Sequence, residues 1–198
     1  MPIIYYPTLF RQSQVFKAGL LQLSQLHRIP AGLSVYPHTL PIFNLGAREI
    51  LANADPGSTA KQVGWRYFAG VDNPKTTVAG DVDMSSVPQI ASLFYGASAW
   101  TALQAAEALG DLPDLSGDSY EPRMLRIPGL LIEALWLKPL SAGAGTDRIV
   151  PYHTLIKSLD PATPYPAQDF FDKIRHFAEQ AITDNGSHKT ARQRPTLK

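Results

Sequence analysis

The sequence predicts an α+β domain: an antiparallel or mixed sheet packed against a buried central helix and a C-terminal amphipathic helix. Three stretches carry this reading. Met84 to Ala106 contains no charged residue, as expected of a segment buried on more than one side. Leu130 to Leu137 is apolar on both faces of a strand, with Leu130, Ile132, Ala134 and Trp136 on one and Leu131, Leu135 and Leu137 on the other. Such a strand is covered twice, or covered once and paired with another subunit. Phe170, Ile174, Phe177, Ala178 and Ala181 form a single apolar helical stripe, with Asp172, Lys173, Arg175 and Glu179 outside it.

Taken in order, the first sixty residues are the least regular. Phe16, Leu20 and Leu23 fall at helical spacing, whereas Leu21 and Leu23 alternate with Gln22 and Ser24 as in a strand; Pro30 ends either element. Pro37 and Pro41 break up the run of Tyr36, Leu40, Ile42 and Phe43. Val63–Phe68 and Lys75–Val82 read as strands joined by a turn containing Gly70, Asp72, Asn73 and Pro74. Ser86-Val87-Pro88-Gln89 has the spacing of a capping box with proline in the first turn. It predicts a helix to about Leu109, stopped by Gly110.

The four acids from Asp111 to Glu121 read as a solvated connection, without the alternation of a calcium loop. Arg123–Ile127 and Leu130–Lys138 come next as strands. A two-residue turn at Pro128-Gly129 sets Met124 opposite Glu133, with Arg126 diagonal to Glu133. Pro-Gly favours a type II turn rather than the mirror-image hairpin turns, so a bulge or wider loop is an equal alternative. Ser141 to Thr146, with Gly143 and Gly145, reads as a flexible turn and not a phosphate loop, and Arg148–Tyr152 as a further strand. The polar residues after Asp184 read as a mobile tail from Gly186. The organisation is thus one domain over 1–185 and a tail over 186–198.

The 198 residues, 44% hydrophobic and 18% charged with a net charge of +1, suffice for one sizeable core. They lack the basic footprint of a nucleic-acid binder, so no nucleic acid is expected. The seventeen prolines argue for short elements and ordered loops. The absence of cysteine excludes disulfide scaffolds, thiol catalysis and thiolate zinc sites. No membrane span is expected, because Ser85, Ser86, Pro88, Gln89, Ser92, Ser98, Thr101 and Gln104 interrupt the uncharged run and a span needs roughly 20 predominantly apolar residues. The N-terminus has no basic region followed by an apolar core, so the location expected is cytoplasmic.

Four residues stand out chemically. Asp81 and Asp83 end a strand two residues apart, on one face, and as hard oxygen ligands could share Mg²⁺ or Mn²⁺. In the structural reading they fray the strand end and cap the helical region after it. The pair looks like that of nucleotidyltransferases, which lies after a Gly-Ser turn; here Gly57-Ser58 lies far upstream, with a candidate strand where that family has a helix, and no family is assigned. Glu133 sits in a strand so apolar that burial would raise its pKa unless a donor such as Arg126 or Arg123 meets it. It is a candidate acid or base. Among His27, His38, His153, His176 and His188, no two have zinc-helix spacing. His153, after an apolar run, is the catalytic candidate among them.

Packing signals outweigh catalytic ones. The expected function is therefore a non-catalytic soluble binding or assembly protein, as a homo-oligomer or with a protein partner, and without a cofactor. The alternative is a metal-assisted transferase or hydrolase using Asp81 and Asp83 with Glu133 or His153 and Mg²⁺ or Mn²⁺. A cleft enclosing these groups would discriminate the two.

Overall fold

The computed structural model describes residues 3–5, 9–70, 73–111, 119–140 and 146–191, with side chains to residue 184. The expected acidic connection over 112–118, the glycine turn over 141–145 and residues 192–198 of the expected tail lie outside the described residues.

The fold is an α+β arrangement around one mixed nine-stranded sheet. The strands are β1 (Ser34–Val35), β2 (Leu40–Asn44), β3 (Lys61–Gly70), β4 (Val78–Asp83), β5 (Ile90–Tyr95), β6 (Tyr120–Ile127), β7 (Ile132–Pro139), β8 (Arg148–His153) and β9 (Tyr165–Pro166). The helices are α1 (Phe10–Gln25), α2 (Ala47–Ala52), α3 (Ala97–Glu107) and α4 (Ala167–Ala191). The strand order is β5-β4-β3-β2-β6-β7-β8-β9, with β1 beside β3. Two antiparallel meanders make up the sheet. The first steps outward from β2 to β5; α3 then carries the chain back to β6, which lies parallel to β2; the second meander steps outward to β9. A parallel neighbour requires such a crossover.

Alternation along the strands defines two faces. On one, Trp65, Tyr67, Ala69, Val78 and Val82 bury under Phe16 and Leu20 of α1. On the same side of the second meander, Leu125, Ile127, Ile132, Ala134 and Trp136 bury under α2 and under Phe170, Phe171, Ile174 and Ala178 of α4. The other face carries Leu40, Phe68, Ala79, Met124, Leu135, Leu137 and Val150 beneath Ala99, Ala102, Leu103 and Ala106 of α3. β7 is thus an interior strand covered on both faces, as its sequence predicts. α1 lies so near β4 that a side-chain carbon at Gly80 would sit 2.6 Å from the Phe16 ring.

Several expectations need correction. The stretch from Ser86 to Leu109 is not one helix. Residues 84–89 form a loop, Ile90–Tyr95 is edge strand β5, and the helix begins only at Ala97. Gly96 makes the break, holding φ +80, which an L side chain rarely adopts. The capping-box signal fails because Asp83 holds the loop: its Oδ1 accepts from the Ser85 and Gln89 backbone N–H groups at 3.2 and 3.1 Å. At the hairpin the wider-loop alternative holds over the two-residue turn: four residues separate Ile127 from its partner Ile132, so Arg126 lies directly opposite Glu133 and not diagonal to it. Leu131 closes this turn at φ +54. α4 does not stop at Gly186 but continues to Ala191. Trp136 is buried, whereas Trp100 is only half-buried. No helix among the described residues is long and apolar enough to cross a membrane.

Candidate functional site

α3 covers only part of its face. Two residues further along six of the strands, on that same face, the apolar core residue is followed by a polar one. Phe94 gives way to Ser92 on β5, Ala79 to Asp81 on β4 and Phe68 to Arg66 on β3. Met124 gives way to Arg126 on β6, Leu135 to Glu133 on β7 and Val150 to Tyr152 on β8. The polar row is therefore a product of strand register, assembled from elements far apart in the chain.

Its side chains close into a ring of alternating charge. Arg66 grips Asp81 with two parallel bonds, Nε to Oδ1 at 2.7 Å and Nη2 to Oδ2 at 3.0 Å. Its Nη1 donates to Glu133 Oε2 at 3.2 Å. Arg126 donates from Nε to Glu133 Oε1 at 3.0 Å and from Nη2 to Asp81 Oδ2, completing the circuit. Ser92 Oγ donates to Asp81 Oδ2 at 2.6 Å and Tyr152 OH to Glu133 Oε2 at 2.8 Å. The Phe94 ring lies 4.7 Å from the Arg66 guanidinium, adding a cation–π contact. Two guanidinium and two carboxylate groups leave no net charge.

The ring has a sealed side and an open side. Arg66 and Asp81 are 0% and 1% exposed, Arg126 and Glu133 22% and 29%. Burial works to raise the pKa of Asp81, but the bond and charge of Arg66, the charge of Arg126 and the Ser92 bond together hold it below the usual carboxylate value. Glu133 is likewise pushed up by burial and brought below its usual value by Arg66, Tyr152 and Arg126. Both acids are ionised at neutral pH. Burial, reinforced by the Glu133 charge and hydrogen bond, raises the Tyr152 hydroxyl and keeps it protonated against the opposing pull of the two arginines.

Above the open side lies a cavity of about 620 Å³. Arg126, Glu133, Ser92 and Tyr152 line it together with Phe94; Ala97, Ser98 and Thr101 of α3 form one wall, and Pro128, Leu131 and Ile132 the other. His153 stands at its rim, exposed. Thr101 is occupied by a bond to the Ala97 carbonyl at 3.0 Å.

The sequence candidates separate accordingly. Glu133 and His153 line one cavity, and Asp81 lies in the ring beneath it. Asp83 does not join Asp81; it stands apart, its carboxyl held low by the Ser85 hydroxyl and the Gln89 amide. Both oxygens of Asp81 already accept from arginine, and no group of three or more His, Asp or Glu among the described residues could hold a metal ion. The other described histidines are dispersed. His27 ends α1 at φ +53 while Arg28 N–H reaches back to the Leu23 carbonyl, His38 meets the Tyr5 ring, and His176 is exposed beside Gln180. Sequence reasoning missed Arg66, Ser92 and Tyr152. The signal that could have found them is the polar residue two positions from an apolar one, repeated in strand after strand. Comparison of the chain with protein-family models, with curated proteins and with solved structures gives no match.

Proposed function

We propose that this chain is a non-catalytic binding protein for a small molecule that occupies the cavity above the charged ring. One observation carries the reading: a sheet face whose core stops halfway, leaving an open cavity with a hydrogen-bonding floor and mostly apolar walls. Its volume falls in the roughly 300–1,000 Å³ range of small-molecule sites, which combine apolar walls with a few placed polar groups.

Two further features support it. Leu131 is 59% exposed on the cavity rim, in a left-handed conformation that costs a non-glycine residue roughly 1–2 kcal/mol. A ligand that packs on Leu131 gives that placement a use. Catalysis is the weaker reading, because the ring's acids are ionised, both engaged by arginine, and its tyrosine is held protonated. A general acid or base works best with a pKa near the operating pH. The metal-assisted alternative asks Asp81 to exchange two guanidinium partners for a cation.

Assembly through α1 has less support than ligand binding. Phe10 and Leu21 are exposed on one stripe of that helix, but exposed Gln14 and Lys17 lie between them, so they form no continuous apolar patch.

The test is a thermal-shift screen of a small-molecule fragment library, run in parallel on the wild type and Ala97→Trp. Ala97 is exposed at the start of α3, so tryptophan there fills the cavity from its wall without disturbing the core. Fragments should raise the melting temperature of the wild type and not of the variant. A library that shifts both proteins alike, or neither, overturns the binding reading. Stabilisation by Mg²⁺ or Mn²⁺ that vanishes in Asp81→Asn would move the metal-assisted reading ahead.

A further inference from the structure

Building on the binding reading, we infer that the cavity selects an uncharged polar group offering an acceptor beside a donor, a carboxamide or its equivalent, carried on an apolar body. The charges of the site already cancel. Arg66 and Arg126 are balanced by Asp81 and Glu133, and the remaining titratable groups at the cavity are Tyr152, held protonated, and His153, out at the rim. A ligand carrying a formal charge would lose hydration on entering and find every opposite charge already engaged. Burial of a charge without a free partner is strongly disfavoured.

Hydrogen-bond capacity gives the shape of the preferred group. A guanidinium has five N–H donors. Arg126 uses one at Nε for Glu133 and one at Nη2 for Asp81. Its other donors make no hydrogen bond among the described residues, and Arg126 lines the cavity. Glu133 Oε2 accepts from both Arg66 and Tyr152, whereas among the described residues Oε1 accepts from Arg126 alone, which leaves Oε1 a lone pair. The half-exposed edge of the ring therefore presents donors from Arg126 directly beside an acceptor from Glu133, on residues that face each other across β6 and β7. A carboxamide answers that edge with its carbonyl toward Arg126 and its N–H toward Glu133. Phe94, Pro128, Leu131 and Ile132 receive the apolar body.

The decisive experiment compares three probes that share one body: cyclohexanecarboxamide, cyclohexanecarboxylate and cyclohexylmethylammonium. Each is titrated calorimetrically at pH 7 into the wild type, Ala97→Trp and Glu133→Gln. In the wild type the carboxamide should bind about tenfold or more tighter than either charged probe, and Ala97→Trp should abolish its binding. Glu133→Gln leaves the ring with an excess positive charge, so the preference should move to the carboxylate. Should that variant fail to fold, the comparison in the wild type still decides. A charged probe that binds as tightly as the carboxamide, and is lost in Ala97→Trp, overturns the ligand class while leaving the binding reading intact. The ligand class is overturned equally if library fragments bind the cavity and the carboxamide does not. Absence of any cavity-dependent binding, by probes or library alike, overturns both.

Discussion

The two faces of the sheet are drawn from alternate residues of the same strands, yet they differ in kind. Beneath α1 and α4 an apolar block runs through Trp65, Tyr67 and Ala69 on β3 and Ile132, Ala134 and Trp136 on β7, and turns charged only past Trp136, where Arg123 pairs with Glu121 and covers the Phe43 and Trp136 rings. Beneath α3 they change from apolar to charged partway, at Arg66, Asp81, Arg126 and Glu133. On the first face α1, α2 and α4 cover that block, and hydrophobic burial acts across it. On the second face coverage stops and a polar ring begins. An apolar core stabilises without specifying a ligand; a hydrogen-bonded ring contributes less net stability but fixes donors and acceptors in place. The first face joins its block to the helices that hold the fold, and the second divides its length between a core and the ring that floors the cavity.

The largest effects should come from one deep residue on each face, and pH should tell them apart. Trp136→Ala removes a buried indole that also donates to Asp147 at 2.7 Å and should cost about 3–5 kcal/mol. Asp81→Ala deprives buried Arg66 of its bidentate partner and should cost a comparable amount, about 3–5 kcal/mol. Asp81 has its pKa lowered from 3.8 by Arg66, Arg126 and Ser92, against burial. A depressed carboxylate contributes stability that is complete above its unfolded value and disappears as pH falls through its folded value. Urea unfolding at pH 7 and again below pH 3.8 should therefore show the Asp81→Ala penalty shrinking in acid while that of Trp136→Ala persists. A penalty for Asp81→Ala that does not change with pH would mean that the ring acts by packing alone.

Smaller effects with opposite signs sharpen the contrast. Arg126→Met opens the ring at its partly exposed member and should cost about 1–2 kcal/mol, less than a buried charged bond because solvent screens it. On the other face, Tyr67 is 0% exposed, its hydroxyl has no hydrogen-bond partner among the described residues and burial pushes its pKa up to about 12. Tyr67→Phe should therefore stabilise, by about 1 kcal/mol, since an unsatisfied buried polar group costs roughly 1–3 kcal/mol. A loss of stability in Tyr67→Phe would show that the apolar face depends on a polar contact after all.

Legibility in the sequence divides along the same line. β6, β7, β8 and α4 are long and periodic, and their existence and burial are legible from residue spacing. Ile90–Tyr95 is not, because a short edge strand running into alanine-rich α3 shares its apolar density, and Gly96 can serve close packing as well as a break. The hairpin register slips because the Pro128-Gly129 signal does not disclose that Leu130 and Leu131 also belong to the turn. Glu133 is legible as an acid in need of a donor, and Arg126 as one such donor. Arg66 is not, since it lies 67 residues from Glu133 and is brought to it only by a strand order that sets β2, the inner strand of the first meander, against β6. Local spacing reports which face a residue takes; it does not report which distant strand will lie beside it.

Asp83 gives the smallest expected effect and the narrowest test of that distinction. It is two residues from Asp81 on the same strand, and spacing alone makes the two acids a pair. The structure gives them separate tasks. Asp81 reaches into the ring, whereas Asp83 turns to the β4–β5 loop and accepts from the Ser85 hydroxyl at 2.7 Å and from the Ser85 and Gln89 amides. Those bonds face solvent, where water replaces them readily, so Asp83→Asn should leave the melting temperature at the wild-type value. Their loss should appear locally, as faster hydrogen exchange at the Ser85 and Gln89 amides with unchanged exchange in β3 and β7. Cavity ligands should bind this variant as they bind the wild type. A fall in global stability or in ligand binding with Asp83→Asn would join the two acids into one site and restore the pairing that their spacing suggests.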